Sequence, residues 1–216
     1  KIKSLDPFFD QGYDAVFVAV GAQQSVKIGI EGEDSAKIID CISLLGDVSL
    51  GKKTKLGKRV AVIGGGNAAI DAARTALRLG SKVTIIYRRT GKEMPACIDE
   101  VEDAAKEGVN ILFLCAPYKI GISGRAVKLE CVRMKLGEPD ATGRCCPVPR
   151  KGSEFILEFD NIITAIGQIP TIPNGFKLKT GKGNRLIVDP ETQKTNRKGV
   201  FAGGDVVTGP SSIIEA

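Results

Sequence analysis

Apolar residues along this chain fall into short dense runs rather than long stripes. The runs are Val16-Phe17-Val18-Ala19-Val20, Val60-Ala61-Val62-Ile63, Val83-Thr84-Ile85-Ile86-Tyr87, residues 110–115, Ile162-Ile163-Thr164-Ala165-Ile166 and Val200-Phe201-Ala202. Such runs, rich in β-branched residues, are the pattern of strands buried on both faces. Between them, residues 67–79 carry Ile70, Ala73, Ala76 and Leu77 close to helical spacing, and Gly80 is a natural stop. A short helix is expected around 99–106, stopped by Gly108, and another over 35–45 as a connector between domains. Residues 127–136 and 154–159 alternate apolar with polar, as half-exposed antiparallel strands do. A turn-rich stretch separates them, with Gly137, Pro139, Asp140, Gly143, Pro147, Pro149 and Gly152. The pattern predicts a βαβαβ core with an antiparallel meander packed on it.

Two segments look like copies of one another. Residues 14–21 (DAVFVAVG) and 160–167 (DNIITAIG) each start with Asp, run through a strand and end in Ala-x-Gly. The chain is expected to leave one domain after the first copy and return after the second. The divisions read as 1–50, 51–165 and 166–216, the middle one an inserted domain.

The run 60–63 leads straight into Gly64-Gly65-Gly66-Asn67-Ala68-Ala69. Strand, tight turn and helix follow with the spacing Gly64-x-Gly66-x-x-Ala69. Gly64 lets the chain turn sharply off the strand. Gly66 carries no Cβ and admits a pyrophosphate close to the backbone. Ala69 is small enough for the helix to pack close on the sheet. The helix N-terminus then offers free N–H groups and a partial positive charge to the phosphates. An ordinary tight turn is the alternative, and the strand and helix on either side weigh against it.

The next strand, 82–87, completes a βαβ unit. At its end an NAD site carries an acid for the ribose hydroxyls. This chain has Arg88 and Arg89 there instead. A guanidinium pairs with a 2′-phosphate in forked geometry, so the position favours NADP(H) over NAD(H). The alternative is a pair of solvated arginines.

Composition narrows the classes further. The chain has 216 residues, 43% of them hydrophobic, and a net charge of +6 from 31 basic and 25 acidic residues. One or two globular domains with a sizeable core fit that length. So small and scattered an excess does not mark a nucleic-acid binder. The densest basic run, Lys52, Lys53, Lys55, Lys58 and Arg59, reads as a solvated linker. No apolar run is long enough to span a membrane, and no signal-peptide pattern opens the chain. Lys1 is not a natural initiator, so the chain reads as a piece of a longer polypeptide. The absence of histidine excludes His-dependent triads and most zinc sites. Cysteines stand at 41, 97, 115, 131, 145 and 146, with no Cys-x-x-Cys among them. Cys145 and Cys146 read as a vicinal disulfide or as two free thiols, and the set suits a reducing, cytoplasmic home.

Near the end, residues 199–205 form a strand finishing in Gly203-Gly204-Asp205. The glycines allow close backbone approach, and Asp205 accepts hydrogen bonds from sugar-like hydroxyls. A plain Gly-Asp turn is the alternative. Gly209-Pro210 marks a further turn, followed by an incipient helix at 213–216.

Together, GYDAVFVAVGA, GKRVAVIGGGNAAIDAARTALRLGSKVTIIYRR, EMPA, DNIITAIGQIP and TNRKGVFAGGDVVTGPSSIIEA resemble the two-dinucleotide-binding-domain flavoproteins. The resemblance is closest to the small-subunit type of NADPH-dependent glutamate synthase. It implies an α/β fold, a Rossmann-like three-layer β/β/α NADP-binding domain inserted in part of an FAD-binding domain. By that resemblance Gly64, Gly65, Gly66, Asn67 and Ala68 hold the NADP(H) pyrophosphate, and Arg88 and Arg89 the 2′-phosphate. Gly21 and Gly167 sit at the interdomain crossovers. Gly204 and Asp205 serve the FAD ribityl or pyrophosphate region, and Ser212 and Ile213 face the flavin ring. It implies further that NADPH gives a hydride to FAD, which feeds an iron–sulfur domain or a large catalytic subunit, with no catalytic side chain and no metal ligand in this chain. The family's first FAD fingerprint and its cysteine-rich iron–sulfur region are absent from the chain. Taken alone, therefore, it is expected to be inactive and not to hold FAD tightly. Two rival readings are a dinucleotide-sensing module without redox turnover and a thioredoxin-reductase-like enzyme, the latter disfavoured by the lack of Cys-x-x-Cys.

Overall fold

A computed structural model describes residues 1–124, 126–139, 143–210 and 214. In chain order the elements are α1 (Asp6–Asp10), β1 (Val16–Val18), β2 (Gln24–Ser25), β3 (Ile38–Asp40), α2 (Cys41–Ser49), β4 (Arg59–Ile63) and α3 (Asn67–Arg78). There follow β5 (Lys82–Ile86), α4 (Ile98–Glu107), β6 (Asn110–Leu112), β7 (Cys115–Ser123), β8 (Ala126–Pro139) and β9 (Cys145–Phe159). Last come β10 (Asn161–Thr164), β11 (Gln168–Ile169), β12 (Val200–Ala202) and α5 (Asp205–Thr208). The chain divides into two units. One is Lys27–Ile166; the other joins Lys1–Val26 to Gly167–Ala216.

The Lys27–Ile166 unit is built on a five-stranded parallel sheet in the order β3-β10-β4-β5-β6. Side chains alternate across a strand, and here both faces are covered. Val60 and Val62 of β4 point to the helices, where they meet Leu44, Ile70, Ala73, Ala76 and Ile163. Ala61 and Ile63 point the other way, to Ile120, Val127, Leu129, Cys131 and Phe159 of the antiparallel meander β7-β8-β9. The result is three layers, meander, sheet and helices, as expected. On α3 the buried face is Ala69, Ile70, Ala72, Ala73 and Ala76, nearly all methyl-sized, so the helix lies close on the sheet.

Three elements differ from the sequence pattern. The expected connecting helix is split. Ile38 and Ile39 join the sheet edge as β3, and Asp40 ends the strand by capping α2, its carboxylate accepting the Ile42 N–H at 2.9 Å. Since α2 packs into this unit through Cys41 and Leu44, the first division falls after Val26 rather than after residue 50. The expected third parallel strand stops at Leu112, and Leu114, at φ 52°, turns the chain into β7, which the pattern did not show. The turn-rich stretch is mostly strand. Pro147 and Pro149 lie on β9, an edge strand whose outer side needs no N–H, paired with Leu136 and Met134.

In the other unit, β1 and β12 pair in parallel over a core of Leu5, Val18, Phe176, Leu186, Val200, Ala202 and Val206. β2 and β11 pair antiparallel. The two copied segments thus fall in different units, β1 in one and β10 in the other. Gly21 and Gly167 follow them at φ 70° and 118°. No helix among the described residues is long and apolar enough to cross a membrane.

The helix layer is bracketed by Glu107 of α4, which accepts from Arg74 Nε (3.1 Å) and Arg78 Nη2 (3.1 Å) of α3. The Arg74 hydrogen bond holds the Glu107 carboxyl below its ordinary value of 4.5. A carboxyl depressed on folding stabilises above its unfolded pKa and loses that contribution as pH falls through the folded one. Urea unfolding of Glu107→Gln is therefore expected to show lower stability than the parent at pH 7. The gap should close on acidification below about pH 4.5.

Candidate functional site

The three glycines after β4 are glycines for three different reasons. Gly64 has φ 149°, and a Cβ there would stand 2.2 Å from the Ala165 carbonyl oxygen. A Cβ on Gly65 would lie 2.4 Å from the Tyr87 ring. Gly66 has open space, its nearest neighbour being Pro95 Cγ at 3.9 Å. The first two therefore serve packing beneath the loop, and the third leaves room above it.

Gly66 is the N-cap of α3 and offers no side-chain cap; its carbonyl accepts the N–H groups of Ala69 (2.9 Å) and Ile70 (3.2 Å). The N–H groups of Gly65, Gly66, Asn67 and Ala68 have no partner among the described residues. A row of free donors at the start of a twelve-residue helix is a site for an anion.

A second loop folds back onto this one. Ala96 N–H donates to the Gly65 carbonyl (3.2 Å), and Cys97 N–H donates to Asn67 Oδ1 (2.9 Å). The side chain of Asn67 thus tethers the loop through its oxygen. Tyr87, whose ring floors Gly65, donates its hydroxyl to the Glu93 carbonyl at 2.6 Å. Thr90 and Glu93 form a reciprocal capping box. The Thr90 hydrogen bond, with Arg89 contributing charge, holds the Glu93 carboxyl below its ordinary range. Tyr87, Glu93 and residues 95–97 were not singled out from sequence. Glu93, Pro95 and Ala96 appear there only within the EMPA motif.

The two arginines at the end of β5 part company. Arg88 is exposed. Arg89 is 6% exposed, and its Nε donates to the Cys145 carbonyl at 2.8 Å.

In the other unit, Gly203 and Gly204 follow β12. A Cβ on Gly203 would stand 2.8 Å from the Phe17 ring, and Gly204 has φ 77°. Asp205 opens α5, and its Oδ1 is buried with no hydrogen-bond partner among the described residues. A buried carboxylate oxygen without a donor is costly and matches an acceptor waiting for a ligand hydroxyl. Ser212 and Ile213 lie outside the described residues. All six cysteines are free thiols, Cys145 and Cys146 half-buried at the start of β9. Burial pushes the Cys41 thiol up to about 11, and both burial and the neighbouring Cys115 raise Cys131, so neither is a thiolate at neutral pH.

The family described as pyridine nucleotide-disulphide oxidoreductase matches residues 6–216. The NADP(+)-dependent formate dehydrogenase subunit beta of Moorella thermoacetica is 46% identical over 211 residues, covering 94% of this chain and 30% of that protein. The glutamate synthase [NADPH] small chain of Azospirillum brasilense is 38% identical over 221 residues, covering 94% of this chain and 45% of its own length. The chain thus spans less than half of either relative. Among solved structures, Mycobacterium tuberculosis FprA in complex with NADPH superposes with a TM-score of 0.76 at 20% identity, over 96% of this chain and 61% of that one, a likeness of fold.

Gly64 and Gly66 should respond oppositely to one added methyl. Gly64→Ala is expected to lower stability by about 2–3 kcal/mol, through strain and the clash with Ala165. Gly66→Ala, at φ −93° and ψ 175°, should stay within about 1 kcal/mol of the parent yet lose nucleotide affinity. Urea unfolding paired with nucleotide titration of both variants checks this.

Proposed function

The chain belongs to the pyridine nucleotide-disulphide oxidoreductase family, and from that membership we propose that it carries the NADP(H)-binding part of a longer flavin-dependent oxidoreductase. In that protein NADPH passes a hydride to FAD, and electrons go on to iron–sulfur centres, as in the glutamate synthase small-subunit type. The observation that carries the reading is the row of unpartnered N–H groups from Gly65 to Ala68, with exposed Arg88 on the neighbouring strand end.

FAD, when bound, supplies a hydride acceptor able to release electrons singly. This chain's residues bind and orient. The loop 64–68 and the α3 terminus receive the NADP(H) pyrophosphate, and Arg88, the guanidinium of the Arg88–Arg89 pair in reach of solvent, reads the 2′-phosphate. Gly21 and Gly167 serve the crossovers between the two units. Gly204 gives the backbone close approach to FAD. Asp205 accepts from a ribityl or neighbouring hydroxyl, which its orphaned Oδ1 supports. No side chain here needs to act as acid or base. Relatives named as a β subunit and a small chain support a partner, an iron–sulfur domain or large catalytic subunit. The free thiols support a cytoplasmic setting.

Calorimetric titration tests the nucleotide assignment. The parent should prefer NADPH to NADH. Arg88→Ala should cost NADPH about 1.5–3 kcal/mol and leave NADH unchanged. Equal affinities in the parent would overturn the NADP reading.

The flavin assignment is tested in the full-length protein. Asp205→Ala should weaken FAD retention by roughly one to two powers of ten while NADPH affinity holds. Flavin content and NADPH affinity measured on one preparation decide it.

A further inference from the structure

We propose that Arg89 is a positioning residue and not a phosphate ligand: it latches the neck of the β8–β9 hairpin onto the end of β5, beside the nucleotide site. The inference rests on the nucleotide reading of the 64–68 loop and Arg88.

Two hydrogen bonds of Arg89 and one of Leu114 make the connection. Its Nε donates to the Cys145 carbonyl on β9 (2.8 Å). Its own carbonyl accepts the Leu114 N–H (3.1 Å), and the Leu114 carbonyl accepts the Met134 N–H on β8 (2.8 Å). Both strands of the hairpin are therefore tied to one residue, directly or through Leu114. Leu114 holds the left-handed φ of 52° that this relay uses, a conformation leucine adopts only where its surroundings demand it.

The latch stands where the hairpin's own ladder is weakest. Its register shifts between Val132 and Met134 and again between Leu136 and Pro139. Between those shifts the β9 partners of Met134 and Leu136 are Pro149 and Pro147. An outer tie supplies what the ladder lacks. The chemistry of Arg89 fits that work better than phosphate recognition. It is 6% exposed, and a buried guanidinium needs the acceptor that Cys145 provides. The chain bends after β5, and there Arg88 is exposed while Arg89 is buried with its Nε on the hairpin. The hairpin neck then forms a wall next to the strand end that carries Arg88.

Arg89→Gln separates donor from charge. After the same carbons, glutamine places an N–H where arginine has Nε, with no charge. Arg89→Met keeps the bulk and loses both. The probes are 2′,5′-ADP and 5′-ADP, titrated by calorimetry against the 216-residue chain and its variants, with hydrogen exchange read at the Met134 amide. Arg89→Gln is expected to keep the 2′,5′-ADP to 5′-ADP affinity ratio within about twofold of the parent and to keep Met134 protected. Arg89→Met should speed Met134 exchange at least about tenfold and weaken both probes by a common factor, leaving the ratio in place. Arg88→Ala should lose the ratio with Met134 still protected. A tenfold loss of the ratio in Arg89→Gln would make Arg89 a phosphate ligand and overturn the proposal, as would unchanged Met134 exchange in Arg89→Met. If the parent itself does not prefer 2′,5′-ADP, the nucleotide reading fails, and the Met134 exchange of the two Arg89 variants still decides the latch.

Discussion

The α-carbon of Gly64 rests against the carbonyl oxygen of Ala165, too close for any side chain to come between. That contact lets β4 and β10 end side by side, and the Ala165 N–H closes it by donating to the Ile63 carbonyl at 2.8 Å. With the strand ends drawn together, the chain must turn at once into α3, and the turn leaves its N–H groups facing outward. The next residue continues the constraint. Gly65 sits on the Tyr87 ring, and Tyr87 links the end of β5 to the two arginines. Close backbone packing at Gly64 and Gly65 thus fixes where the loop's free N–H groups stand relative to the chain that leads to Arg88.

Much of this was legible from residue order because its causes are local. The β4–α3–β5 unit follows from buried β-branched runs, a glycine turn and methyl-sized residues at helical spacing. Each of these acts within a few residues of itself. What stayed hidden depends on partners far along the chain. Ile38 and Ile39 read as helix because their strand exists only by pairing with β10. Pro147 and Pro149 read as turn because an edge position, which excuses a missing N–H, is a property of the sheet and not of the residues. Tyr87 and Glu93 shape the site through bonds to backbone atoms, and backbone atoms leave no mark in a sequence.

The arginine pair shows the same limit at the scale of one dipeptide. Residue type places two cations where a nucleotide phosphate is expected. It does not say that the two side chains part at the bend after β5. Only one of the two meets solvent; the other is taken up by a carbonyl fifty-six positions further on. Asp205 is the opposite case. Its place after two glycines was readable, and the structure adds that one of its oxygens is buried without a donor.

The pairing of β2 with β11 has a consequence for how such a chain comes about. These strands hold the last residues before residues 27–166 and the first residues after them. Ser25 stands opposite Gln168, and the Val26 N–H donates to the Gly167 carbonyl at 3.0 Å. The stump left by removing the intervening 140 residues (166 − 26) is therefore already a hairpin lacking only its turn. A segment whose two ends meet at a ready-made hairpin can be gained, lost or exchanged between genes with almost no loop-closure penalty on the host. In that sense the Lys27–Ile166 unit is a cassette, and the ladder between β2 and β11 is its socket.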